Sequence, residues 1–272
     1  MKAAGTKAAR GRTTVFLGGG RITGALLAGL RLAGYDKPMV VHDRNPDKLR
    51  QLRRRYGVAV EPVLLRAVEQ ADLLIIAVRP DAVRALLQQI RQIHPTVAVS
   101  LAAGVPLANL CEWMGRPVRW ARAMPSPVAR SGRGLTALAY GRDLPSASRH
   151  EVRDFFARVG AVLEIRESKF DAFTVTYSAS QGYHALAALA EAAAVLGLDR
   201  RTALTAAAHA LADGILAWRG GKISLDNLLR EAATPGGIAA ATMASMDQAG
   251  YQRIVQSGLR AGMDRARLNA KK

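Results

Sequence analysis

The stretch TTVFLGGGRITG, residues 13–24, decides how this chain begins to fold. TTVFLGG (13–19) joins β-branched and apolar residues to glycines, the pattern of a strand running into a tight turn. A helix is expected from Ile22 to Ala33, with Ile22, Leu26, Leu27 and Leu30 on its apolar face and Gly34 ending it. Strand, glycine turn and helix in that order make a phosphate cradle. Gly18 permits the turn, Gly20 lets backbone approach a pyrophosphate, and Thr23 is small enough for close helix–strand packing. Arg21 and Ile22 open the helix, where unclaimed N–H groups and the positive end of the helix dipole face the anion. A glycine string alone is weak evidence. Here an acidic residue, Asp43, follows about 20 positions after Thr23 at the end of a second strand, as a dinucleotide site requires.

Outward from that turn, strands and helices alternate. PMVVHD (38–43) reads as a strand and 46–56 as a helix that Asn45 is placed to cap. ADLLIIAV (71–78) and TVAVSLA (96–102) are nearly continuous apolar runs, as strands covered on both faces should be, and Pro80 opens a helix between them. This rhythm predicts a parallel, doubly wound α/β sheet of the Rossmann type. From about Ser168 the rhythm stops and no further strand is expected. Alanine-rich helices are expected over 185–196, 201–217, 223–233 and 246–268, broken by Gly197, Gly220–Gly221 and Pro235–Gly237. The predicted organisation is a disordered basic leader (1–12), a dinucleotide-binding domain (13–167) and an all-α substrate and dimerisation domain (168–272). So few aromatics in so small a helical domain suggest that it gains core by packing on a second subunit.

Composition narrows the function classes. Half of the 272 residues are hydrophobic and 22% are charged, ordinary for a globular protein. Apolar runs are too short for a bilayer span, and the basic start lacks the apolar stretch of a secretory signal. The single cysteine, Cys111, excludes an internal disulfide framework, and a reducing cytoplasmic setting is expected. The net charge of +18 arises from scattered arginines and lysines, as in RQLRRRY (50–56) and RARLNAKK (265–272). With no interleaved aromatics and no nucleic-acid motif, it predicts a solvated surface that attracts anions, not a nucleic-acid partner. No histidine or cysteine spacing suits a metal. Trp113, Trp120 and Trp218 are dispersed and are expected to anchor cores or interfaces.

Five later segments, in order, resemble the pyrroline-5-carboxylate reductase family. IIAVRPDAV (75–83) is similar to a strand end finishing in Ala-Val-Lys-Pro, with Arg79 in place of lysine. SLAAGV (100–105) is similar to Ser-Ile-Ala-Ala-Gly-Val. WARAMPSPVARSGRGLTAL (120–138) carries Arg-x-Met-Pro and Gly-x-Gly-x-Thr at the family's spacing. Asp171 with Thr174 begins the approach to the second domain, and ATPGGIAAATMASMDQAGY (233–251) is similar to Ser-Pro-Gly-Gly-Thr-Thr and the helices after it. The resemblance covers about 13–268. It implies a reductase that transfers hydride from a nicotinamide to the C=N bond of a cyclic imine. It also implies a homodimer or dimer-based oligomer. The cofactor would contact Gly18, Gly20, Arg21, Ile22, Asp43, Arg44, Ala77, Val78, Arg79 and Pro80, with the nicotinamide near Ala102, Gly104, Met124 and Pro125. Asp43 favours NADH through the ribose, and Arg44 favours NADPH through a 2′-phosphate. The positive surroundings tip the expectation to NADPH, with NADH the alternative.

The substrate region departs from the family pattern. Ser126, Pro127 and Val128 replace Asn-Thr-Pro, and Arg130 and Arg133 follow. Thr176–Tyr183 replaces Leu-Ser-Gly-Ser-Gly-Pro-Ala-Tyr, and Ile238 and Ala239 follow Gly236–Gly237 where two threonines are usual. The expected substrate contacts are therefore Ser126, Arg130, Ser178, Ser180, Gly236, Gly237 and Ile238, around Tyr177, Ala179, Tyr183 and His184 as contacts or proton donors. In an alanine-rich helix the tyrosines and histidine read equally well as packing residues. Lost hydroxyls and altered backbone freedom leave two explanations, a different or more apolar imine, or pyrroline-5-carboxylate itself with the changes tolerated. Two other readings are a nucleotide-binding homologue without a substrate site and a β-hydroxyacid dehydrogenase. The second needs a lysine in the helix leading into the second domain, and Lys169 lacks the expected neighbours.

Overall fold

The computed structural model describes residues 12–93, 97–115 and 118–271. The leader expected over 1–12 lies outside them except for Arg12. Eight strands form one sheet: β1 (Thr14–Leu17), β2 (Met39–His42), β3 (Ala59–Val60), β4 (Leu73–Ile76), β5 (Val97–Ser100), β6 (Arg119–Pro125), β7 (Gly134–Tyr140) and β8 (Gly160–Glu164). Their order is β3-β2-β1-β4-β5-β6-β7-β8, parallel except where β7 runs against β6. Between them run α1 (Arg21–Leu32), α2 (Pro46–Tyr56), α3 (Leu64–Glu69), α4 (Pro80–Gln89), α5 (Leu107–Met114) and α6 (Ser146–Ala157).

Register explains why both faces are apolar. Phe16 is aligned with Val41 and Ile75, and Ile75 with Val99, so these side chains form one row across the sheet. That row packs with Leu26, Leu27 and Leu30 of α1, Leu49 and Leu52 of α2, and Phe155 and Phe156 of α6. The alternate residues Val15, Leu17, Leu74, Ile76 and Ala98 face the other way, against Val83 and Leu87 of α4 and Leu110 and Trp113 of α5. Each fully buried aliphatic contributes about 1.5–3 kcal/mol, so the two layers supply most of the drive to close this unit.

Strands β6, β7 and β8 were not expected from the sequence. RWARAMP carries two arginines among alanines, GLTALAY is rich in alanine, and neither has the β-branched content of β1 or β4. Pairing makes them strands, since β7 is held between β6 and β8. A five-residue 3-10 turn, Pro127–Ser131, joins β6 to β7 and packs on α1 at Gly29, where a Cβ would overlap the Ala129 carbonyl.

Beyond β8 the chain is helical: α7 (Glu167–Thr176), α8 (Ala179–Val195), α9 (Arg200–Gly220), α10 (Leu225–Ala232), α11 (Ile238–Gln248) and α12 (Tyr251–Ala270). The single helix expected over 246–268 is two, parted at Ala249–Gly250, because a glycine in the left-handed region ends α11. The chain forms two compact units. One ends at Val175 and takes in the chain again from Met263, and the other is Thr176–Gly262.

The second unit buries little. Helices α8, α10 and α11 contain no buried residue, and α9 buries only Ala203 and Ala207. Val195 is 87% exposed, Leu196 86% and Ile238 89%, with Leu216 and Ile254 also outward. Capping holds the helices locally: Asp199 accepts from the N–H groups of Arg201 and Thr202, and Ser224 from that of Asn227.

Candidate active site

The glycine turn follows β1. Gly18 has φ +108°, and a Cβ there would stand 2.5 Å from the Ala77 carbonyl oxygen, so the turn nests on the loop after β4. Its N–H donates to the His42 carbonyl at 2.8 Å, while the buried Thr23 hydroxyl donates to the Gly18 carbonyl at 2.6 Å. These bonds fix the turn from both sides. Gly20 caps α1 without a side chain, and the first helical turn contains no acidic residue. A Cβ at Gly20 would meet no protein atom within 4 Å. Nothing in the protein itself therefore requires glycine there, whereas a pyrophosphate drawn to the α1 N-terminus does. The residues fit a dinucleotide.

Asp43 is already engaged. Its Oδ2 accepts from the Gly19 N–H at 2.7 Å and its Oδ1 from the Asn45 N–H at 2.8 Å, with Lys48 Nζ at 3.8 Å from Oδ2. The carboxylate thus ties the glycine turn to the cap of α2, where Asn45 accepts from Asp47 and Lys48. Arg44, next to it, is exposed. His42 is a structural contact, its Nδ1 lying 2.9 Å from the Glu61 carbonyl oxygen.

The other residues expected to meet the cofactor line the same carboxyl edge of the sheet. The Ala77 N–H donates to the Leu17 carbonyl at 2.8 Å, and Val78 reaches the Gly18 turn. Exposed Arg79 caps α4 with Pro80 as its first residue, and lies 3.6 Å from Asp81. After β5, Ser100 Oγ accepts from the Ala102 N–H at 3.2 Å. Gly104 has φ +74°, and a Cβ there would stand 2.6 Å from the Ala266 carbonyl oxygen on α12. Asn269 of α12 donates to the Ala103 carbonyl at 3.2 Å, and Asn109 of α5 to that of Ala270 at 2.6 Å. The chain end thereby braces this loop, a support that the local sequence does not reveal. At the end of β6, Pro125 and Ser126 are buried and Met124 half-buried, Ser126 Oγ caps the 3-10 turn, and Arg130 points outward.

Sequence reasoning missed a buried charge here. Arg122, two residues before Met124, is fully enclosed, with its guanidinium 4.1 Å from the Phe170 ring centroid. It donates to Glu167 at 3.0 Å and to Asp171 at 2.7 Å, both on α7, and Glu167 also accepts from the Leu107 N–H at 3.0 Å. An arginine in an alanine strand, and two acids four apart on one helix face, were the available signals.

In the second unit, the hydroxyls of Ser178 and Ser180 lie 2.6 Å apart at the start of α8, which Ala179 opens. Tyr177 precedes them, and Tyr183 and His184 are exposed on α8. Gly236 and Gly237 form the turn into α11, with Ile238 its exposed first residue. Trp113 and Trp120 are buried, while Trp218 is outward. No helix among the described residues is long and apolar enough to cross a membrane.

Comparison with known proteins adds the family. Residues 13–104 match the family described as NADP oxidoreductase coenzyme F420-dependent, and residues 167–268 match pyrroline-5-carboxylate reductase dimerisation. The chain is 32% identical over 280 residues to a pyrroline-5-carboxylate reductase of Mycobacterium leprae, covering 92% of this chain and 94% of that one. Its fold is similar to that of the Plasmodium falciparum pyrroline carboxylate reductase solved with NADP bound: TM-score 0.85, 18% identity, covering 96% and 99% of the two chains. It is also similar to 1-pyrroline-5-carboxylate reductase from Streptococcus pyogenes: TM-score 0.86, 21% identity, covering 95% and 99%. With a relative above 30% identity matched along nearly its whole length, the chain belongs to the pyrroline-5-carboxylate reductase family.

Proposed function

We propose that this protein reduces the C=N bond of a cyclic imine with NADPH, converting pyrroline-5-carboxylate to proline or a closely related imine to its amine. The observation that carries the reading is the near full-length likeness to the Mycobacterium leprae reductase. Bound NADPH would supply the hydride. Gly18, Gly20, Arg21 and Ile22 hold its pyrophosphate against the α1 dipole. Exposed Arg44 is the residue to meet the adenosine end, and its guanidinium favours a 2′-phosphate over a bare ribose. Ala77, Val78, Arg79 and Pro80 border the pyrophosphate. Ala102, Gly104, Met124 and Pro125 wall the nicotinamide.

The substrate segments are Ser126 and Arg130 in the first unit, and Tyr177–His184 and Gly236–Ile238 in the second. Serine hydroxyls and backbone N–H groups there orient a carboxylate, and Tyr177, Tyr183 and His184 are the candidates to manage the proton on the ring nitrogen. The domains are read as 13–167 for cofactor and 168–272 for substrate and dimerisation. The apolar side chains left outward on α8–α12 fit a homodimer, consistent with the dimerisation family matched over this segment. A cytoplasmic enzyme fits the single cysteine.

A second reading keeps nucleotide binding without turnover. Its only motivation is the replaced segment at Tyr177–Gly182. Loss of NADPH absorbance in the presence of pyrroline-5-carboxylate, and not with NADH, is the expected result. No oxidation with that imine or with bulkier apolar cyclic imines, despite tight NADPH binding, would leave the second reading standing. Gly20→Ala is expected to weaken NADPH binding by about tenfold, or roughly 1.4 kcal/mol, with unchanged thermal stability, because its methyl fills only the cradle.

A further inference from the structure

We infer that Arg122 is a positioning residue for the reduced nicotinamide, locking the two walls of its pocket to α7. The inference rests on the cofactor reading above and adds a residue to it. The wall at Met124–Pro125 continues β6 two residues beyond Arg122, so fixing the guanidinium fixes that strand end. The wall at Ala102–Gly104 runs into α5, whose first N–H, at Leu107, is held by Glu167 Oε1 at 3.0 Å. The same oxygen accepts from Arg122 at 3.0 Å, and Asp171, one helical turn on, accepts from its other terminal nitrogen at 2.7 Å. One enclosed cation, lying on Phe170, thus joins strand end, loop exit and helix.

Stability alone does not account for this arrangement. A buried ion pair is often no better than well-packed apolar side chains, because desolvation offsets the attraction. Here the balance is poorer still: Arg122 Nε and Glu167 Oε2 are buried with no hydrogen-bond partner among the described residues. A methionine on Phe170 would fill the space at lower cost. What methionine cannot do is hold two carboxylates and, through one of them, the Leu107 amide in fixed register. Hydride transfer needs that register, since a displacement near 1 Å is enough to slow it strongly.

The test compares wild type, Arg122→Met, Arg122→Lys and Glu167→Gln for NADPH affinity, fluorescence of the bound nicotinamide, and turnover per bound NADPH. In Arg122→Met, affinity set by the distant pyrophosphate is expected to change less than about threefold, while nicotinamide emission changes and kcat falls about tenfold to a hundredfold with KM for the imine less affected. Arg122→Lys should recover part of both losses. An Arg122→Met protein that binds NADPH with unaltered emission and unaltered turnover per site would overturn the inference, even if it melted earlier. Should that variant not fold, Glu167→Gln decides: its group is one-third exposed, so it tolerates the change. Altered emission is expected, and unaltered emission with unaltered turnover overturns the inference. If wild type binds NADPH but reduces no imine, the functional reading fails, and the emission comparison still decides the role of Arg122.

Discussion

The two units solve the burial problem in opposite ways. In the first, every strand of the central sheet from β1 to β5 except the two-residue β3 is wholly buried, and helices cover both faces. In the second, helices of good propensity leave leucines, valines and isoleucines in contact with solvent. A sheet with flanking helices closes on itself, while α8 to α11 bury only Ala203 and Ala207 within the single chain. The glycine turn proposed for the cofactor sits on the self-sufficient unit. Most of the segments proposed for the substrate belong to the other unit, so the proposal links catalysis to assembly.

The largest expected effect breaks the first unit from within. Gly29→Ala places a methyl on the Ala129 carbonyl and is expected to cost about 3 kcal/mol by denaturant unfolding. A change within about 0.5 kcal/mol would mean that the 3-10 turn is not locked onto α1 as described. The next test addresses the second unit. Leu216 is 63% exposed in the single chain, so Leu216→Glu should be nearly silent for a monomer. In a homodimer seated on this face it should weaken association by about 2 kcal/mol, seen as dissociation on dilution by sedimentation. Wild-type unfolding should likewise depend on concentration. An unaltered association constant would place the interface elsewhere.

The smallest effect separates the units by pH. Burial raises the Tyr35 phenol above its ordinary value, so its contribution is complete below about pH 10 and is lost as pH rises through the folded value. The Asp199 carboxylate is held low, first by the Thr202 hydroxyl and then by backbone N–H groups. Its contribution is therefore complete above about pH 4 and is lost as pH falls through the folded value. Near-ultraviolet circular dichroism, following tyrosines packed in the first unit, should change first in alkali, and helical signal from α9 first in acid. Tyr35→Phe should reduce the alkaline part, to which Tyr140, also raised by burial, contributes as well, and Asp199→Asn should flatten the acid part.

Legibility followed the same division. The glycine turn, α2 with its Asn45 cap, and the central strands could be read because local pattern and final structure agree. β6 to β8 could not, since alanine-rich strands gain their identity from neighbours. Among the residues proposed for the cofactor, Gly18 and Gly20 form a turn that residue type and spacing made legible. The hydrogen bonds that occupy Asp43, the Asn269 brace on Ala103 and the Arg122–Glu167–Asp171 junction were not, because their partners stand 45 or more positions apart except at Asp43, where the 19–43 bond is only 24 apart but depends on turn geometry.

By itself the sequence determined the strands β1, β2, β4 and β5 with the helices α1, α2 and α4, the glycine turn after β1 and the change from α/β to all-α. These are properties of short segments, set by side-chain periodicity, glycine and capping. Tertiary structure alone decided that Asp43 is hydrogen-bonded to the glycine turn, that Arg122 is buried, and that the end of α12 supports the loop after β5. Those depend on groups brought together by closure of the whole sheet, which no local pattern encodes.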